Sequence, residues 1–153
     1  MIPIRDLFET HLTVRDLPRA VAFYRDVLGL ELAAENPARD VAFFWIGGRG
    51  RSMLGLWGTG TGPLTIKLHL AFAVELADLL AAPEQLEAAG VVARAFGGTP
   101  AEEPSVLAWM PAASLYFTDP DGHSLEFISM LPEEPRPDLG VVPWSEWVRR
   151  SEA

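Results

Sequence analysis

The chain has 153 residues, 49% apolar and 22% charged, which is the composition of one globular domain with an ample core. A net charge of −9 disfavours nucleic acid and anionic membrane surfaces as partners. The lack of Cys removes disulfides, thiolate-bound zinc and a thiol nucleophile. With no basic-then-apolar leader pattern and no apolar run near about 18 residues, a soluble cytoplasmic protein is the expectation.

Residues 8–14 alternate as a strand, with Glu9, His11 and Thr13 on one face and Phe8, Leu12 and Val14 on the other. Asp16 is placed to cap a helix and Pro18 suits its first turn. Leu17, Val21, Tyr24 and Leu28 recur at helical spacing until Gly29. Strands are expected over 30–34, 41–46 and 52–57. Residues 58–63, Gly-Thr-Gly-Thr-Gly-Pro, lack the Gly-Lys-Ser/Thr and the strand-to-helix setting of a phosphate loop, so they read as a linker.

After the linker the pattern starts again. Residues 66–74 form a strand with Lys67, His69 and Ala71 on one face. A helix follows over 76–89, interrupted or restarted at Pro83 and closed by Gly90. Strands are expected over 91–95, 105–110, 114–118 and 124–130, with a loop over 97–104 and turn chemistry at Asp119-Pro120-Asp121-Gly122. The repeated order makes the fold class α+β, with two βαβββ modules. They span about 6–57 and 65–130, with linker 58–64, and are expected to place their half-sheets around a common cleft. Residues 131–153 form a C-terminal tail. Its Trp144 and Trp147 make it a docked segment, on its own domain or on a partner subunit.

Only three histidines occur, and His11 and His69 lie in corresponding strands of the two modules. Glu126 sits mid-strand in the last element, between Leu125 and Phe127. A lone His is usually a hydrogen-bonded structural imidazole, and a lone strand Glu is usually solvated. Placed in a duplicated frame, the three form a candidate divalent-metal set, His11, His69 and Glu126. It leaves positions open for a small-molecule substrate. Gly55 is read as the first-module counterpart of Glu126, so that no carboxylate comes from there. Smaller signals read as bland: Phe43, Trp45, Trp57 and Trp109 as packing, His123 as a surface residue after a turn Gly, and Glu102-Glu103 as solvated.

His11-Leu12-Thr13-Val14 with Ala22-Phe23-Tyr24-Arg25-Asp26-Val27-Leu28-Gly29-Leu30 resembles the vicinal oxygen chelate superfamily. So do His69-Leu70-Ala71-Phe72 and Tyr116-Phe117-Thr118-Asp119-Pro120-Asp121-Gly122-His123-Ser124-Leu125-Glu126-Phe127. That superfamily includes glyoxalase I, fosfomycin-resistance thiol transferases, extradiol dioxygenases and bleomycin-binding proteins. The resemblance spans residues 8–130. It implies a glyoxalase-like cup around a divalent metal (Zn, Ni, Mn, Co or Fe) bound by His11, His69 and Glu126, and a homodimer. It also implies a metal-dependent lyase or isomerase acting on a small oxygenated substrate.

Tyr116 and Thr13 match substrate-contacting positions of the fosfomycin transferases and are the candidate catalytic residues. Thiol transfer to an epoxide antibiotic, extradiol ring cleavage and bleomycin-type sequestration are the alternatives. The ligand set argues against sequestration. Ring cleavage would want a further His, and His123 falls on the face opposite Glu126. Because glyoxalase I supplies a second glutamate where Gly55 stands, only feeble glyoxalase turnover is expected, and Gly55→Glu is expected to raise it.

Overall fold

A computed structural model describes residues 6–59 and 66–151. The chain divides into two compact units. The first runs up to Leu68 and includes Asp119–Asp121; the second takes His69–Thr118 and the residues from Gly122 on. Most of the expected linker, residues 60–64, lies outside the described residues.

In the first unit, β1 (Glu9–Val14) leads into α1 (Leu17–Ala22). Asp16 caps α1 by accepting from Arg19 N at 3.0 Å, and Pro in the first turn costs no intrahelical bond there. The helix then widens into a π turn, Phe23–Val27, in which Leu28 N donates to Phe23 O at 3.2 Å. This turn delivers Tyr24 to the core, fully buried, before Gly29 reverses the chain at φ 65°. The Tyr24 hydroxyl donates to Asp119 Oδ2 at 3.1 Å, and burial pushes the phenol's pKa far up.

Strands β2 (Glu31–Asn36), β3 (Val41–Ile46) and β4 (Ser52–Gly58) complete a four-stranded sheet of order β1-β4-β3-β2. Strand β1 runs parallel to β4, and the other neighbours are antiparallel. Leu12, Val14, Ala42, Phe44, Leu54 and Leu56 fill the core face.

The second unit repeats this order with β5 (His69–Ala73), α2 (Leu76–Ala88), β6 (Ser105–Leu107), β7 (Ala112–Thr118) and β8 (Ser124–Met130). The expected break at Pro83 does not occur. Leu79, Ala82 and Leu86 are buried along one face on both sides of the proline, and that packing carries the helix through it. Nor do residues 91–95 form a strand. Gly97 and Gly98, both at positive φ, turn the chain back on itself, leaving Arg94 bridged to Pro100 and Tyr116.

The tail adds β9 (Val141–Pro143), paired antiparallel with β6, and α3 (Trp144–Ser151), whose Trp147 is 1% exposed. The second sheet therefore runs β5-β8-β7-β6-β9. Glu103 is not merely solvated: its carboxylate accepts from Ser145 N at 2.8 Å and Ser145 Oγ at 3.0 Å, capping α3.

Candidate metal centre

Each unit has one parallel ladder, and each ladder carries ionisable residues on its non-core face. In the second unit the first rung pairs His69 with Ser124 and the third pairs Ala71 with Glu126. Side chains on alternate rungs share a face, so His69 and Glu126 stand diagonally adjacent. His69 Nε2 lies 3.1 Å from Glu126 Oε2, and His69 Nδ1 lies 3.3 Å from Ser124 Oγ. On β7, Ser114 and Tyr116 occupy the same face. Ser114 Oγ donates to Glu126 Oε1 at 2.5 Å.

The carboxylate is almost fully withdrawn from water, with 7% of its side chain exposed against 51% for His69. A buried carboxylate is costly unless its lone pairs are matched. Ser114 matches one oxygen, and the other faces the imidazole. Tyr116 pairs with Glu126 across β7 and β8, its ring 6.3 Å from that of His69. Burial, and then the Glu126 charge, push its phenol up to about 12.

These residues fit a divalent cation. Donor atoms bound at about 2.1 Å and at right angles stand about 3 Å apart, close to the 3.1 Å between Nε2 and Oε2. When Nδ1–H donates to Ser124, Nε2 keeps its lone pair for the metal. An imidazole and a carboxylate together suit borderline divalent ions.

The first unit is arranged differently from the sequence reading. Its ladder opens on Glu9 paired with Met53, and its third rung is His11 paired with Gly55. The second rungs bring Leu54 and Leu125, both fully buried, to the same place in the two sheets. Gly55 thus does correspond to Glu126, but the residue that corresponds to His69 is Glu9, not His11.

The His11 ring lies over Gly55, where an added Cβ would come within 2.6 Å of its Cδ2. Gly55→Glu would therefore displace the imidazole and not add a ligand beside it. Trp57, read as packing, donates its Nε1–H to His11 Nδ1 at 3.2 Å, and the other ring nitrogen, Nε2, contacts Glu9 Oε1. Thr13 shares this face, paired with Trp57. His123 is buried, at 1% exposure, because alternation places it on the core face with Leu125. Among the described residues, no three His, Asp or Glu side chains come together as a metal-holding group.

The paired ladders and the imidazole–carboxylate face define a glyoxalase-type architecture, and comparison with known proteins agrees. The Glyoxalase/Bleomycin resistance protein/Dioxygenase superfamily model matches residues 7–127, and the chain belongs to that superfamily. It is 30% identical over 131 residues to a lactoylglutathione lyase of Haemophilus influenzae, covering 80% of this chain and 90% of the relative. An integron cassette protein from the mobile metagenome of a Halifax Harbour sewage outfall is 33% identical, with a TM-score of 0.72. The match covers 83% of this chain and all (100%) of that one. A lactoylglutathione lyase structure from Agrobacterium tumefaciens is 27% identical, with a TM-score of 0.64 over 84% of this chain and 96% of that one.

Proposed function

We propose that this protein is a divalent-metal-dependent, lyase- or isomerase-like enzyme of the cytoplasm. It acts on a small oxygenated substrate through a metal centre drawing on His11, His69 and Glu126. The observation that carries this reading is the buried Glu126 carboxylate, held by Ser114 on one oxygen and facing His69 Nε2 with the other. Two superfamily relatives bearing the name lactoylglutathione lyase support the reaction class.

When bound, the ion would polarise a carbonyl or alkoxide oxygen of the substrate and stabilise enediolate-like charge. The chain's own residues do the rest. Ser114 fixes the carboxylate's orientation, Ser124 fixes the His69 ring, and Tyr116 keeps its phenolic proton across the working pH range and can donate it to a substrate oxygen. Phe43 and Trp57, beside His11, give the first unit's face an apolar, aromatic lining suited to the carbon frame of such a substrate.

Turnover of the methylglyoxal–glutathione hemithioacetal and of related small hydroxycarbonyls tests the reading. Activity should vanish with a chelator, return with added Ni, Co, Mn or Zn, and fall at least 100-fold in Glu126→Gln. Metal-independent turnover would contradict it.

A further inference from the structure

The structure assigns Glu9 as the metal-binding side chain of the first unit and His11 as the residue that holds it. This deepens the metal-centre reading and rests on it. Two independent observations carry the assignment.

The first is register. Glu9 occupies the opening rung of the β1–β4 ladder, as His69 does in the β5–β8 ladder. Two sheets of the same order that present a donor at the same rung present it to equivalent positions on their open faces. His11, one face-residue further along, lies over Gly55 at the rung where the other unit carries Glu126.

The second is the tautomer of His11. An indole N–H can only donate, so the Trp57 Nε1–H bond requires Nδ1 to be the acceptor, without a proton. The neutral ring then carries its proton on Nε2, the atom that meets Glu9 Oε1. A proton there leaves no lone pair for a metal. Coordination through Nε2 would need either an imidazolate or the loss of the Trp57 bond. His69 has no such restriction, because Ser124 Oγ can accept from its Nδ1–H and free Nε2.

His11 is thus a positioning residue. It donates to one oxygen of Glu9 and leaves the other, Oε2, to coordinate, much as Ser114 serves Glu126. Glu9 then gives the first unit a carboxylate donor at the rung where His69 stands in the second, while the Gly55 rung still supplies none.

Pulsed EPR of the full chain loaded with copper(II) counts coordinated imidazoles from their remote nitrogens. One imidazole is expected, and its signal should persist in His11→Gln. Two imidazoles in the wild type would overturn the assignment while leaving the metal reading intact. In parallel, Glu9→Gln should weaken copper binding at least 10-fold and Glu9→Asp should restore part of it, with folding checked by circular dichroism. Unchanged affinity in Glu9→Gln, alongside loss of copper in His69→Ala, overturns the assignment alone. A wild type that binds no copper, nickel or cobalt overturns both readings. If Glu9→Gln does not fold, the imidazole count on the wild type decides.

Discussion

Ser114 donates to Glu126 from a position with no solvent exposure, so its hydroxyl has no function at the surface. Ser114→Ala should leave the fold intact and weaken metal affinity about 10–100-fold, the usual cost of losing an outer-shell partner. Isothermal titration with nickel or zinc measures it, and an unchanged affinity would mean the hydroxyl only fills space.

Tyr116 has a second signature. Its phenol binds the proton more tightly when folded, at about 12, than at the ordinary 10 of an unfolded chain. Its contribution to stability is therefore constant below about pH 10 and falls as pH rises from there through about 12. In metal-free protein, the urea midpoint of wild type should drop more steeply over that window than the midpoint of Tyr116→Phe.

The face that His69 and Glu126 share with Ala71 and Ser124 was legible in the sequence, because alternation groups residues two apart. The rung that Glu9 occupies was not. Nothing in the local pattern shows which of two face-sharing residues, Glu9 or His11, opens the ladder with β4, since register is a property of strand pairs. The matching of His11 with His69 followed residue identity where only the rung decides.

Elements were read with more success where periodicity was strong. The apolar run of residues 41–46 and the alternation of residues 124–130 appear directly as β3 and β8. The π turn at Phe23–Val27 was hidden, because a one-residue widening does not disturb an apolar stripe already spread by Ala20 and Val27. Residues 91–95 misled because an apolar run flanked by glycines satisfies a strand template, whereas the segment pairs only through single bridges at Arg94.

The C-terminal helix offers an element-scale test. Its buried Trp147 is the largest side chain that α3 contributes to the second unit's core, and its N-terminus is capped by Glu103. Trp147→Ala should cost about 3–5 kcal/mol, whereas Glu103→Ala should cost about 1 kcal/mol. Both are read from urea denaturation, and a Trp147→Ala loss below about 1 kcal/mol would mean that the tail is not integral to the core. Gly55→Ala is a sharper probe of β4. The added Cβ meets the His11 ring at 2.6 Å, so the variant should alter the His11 NMR resonances and weaken metal binding without unfolding the sheet.

At the scale of the whole molecule, each unit presents ionisable side chains on its own open face, His69 and Glu126 in one and Glu9 beside His11 in the other. The duplication itself was legible from the recurrence of strand, helix and closing glycine. Whether a complete set forms within one chain or between two was not, because sequence order is the same in either case. A homodimer is the expected state, and light scattering at micromolar concentration tests it; a monomer would contradict it. If sets form between chains, mixing Glu9→Ala with His69→Ala protein restores metal binding that neither has alone.

Elemental analysis of reconstituted protein decides whether a divalent ion binds at His69 and Glu126. Wild type, dialysed after exposure to nickel, cobalt, manganese or zinc, should retain about one ion per chain. His69→Ala and Glu126→Gln, shown to be folded, should retain almost none. Equal metal content in wild type and both variants, whether near zero or near one, would contradict the account.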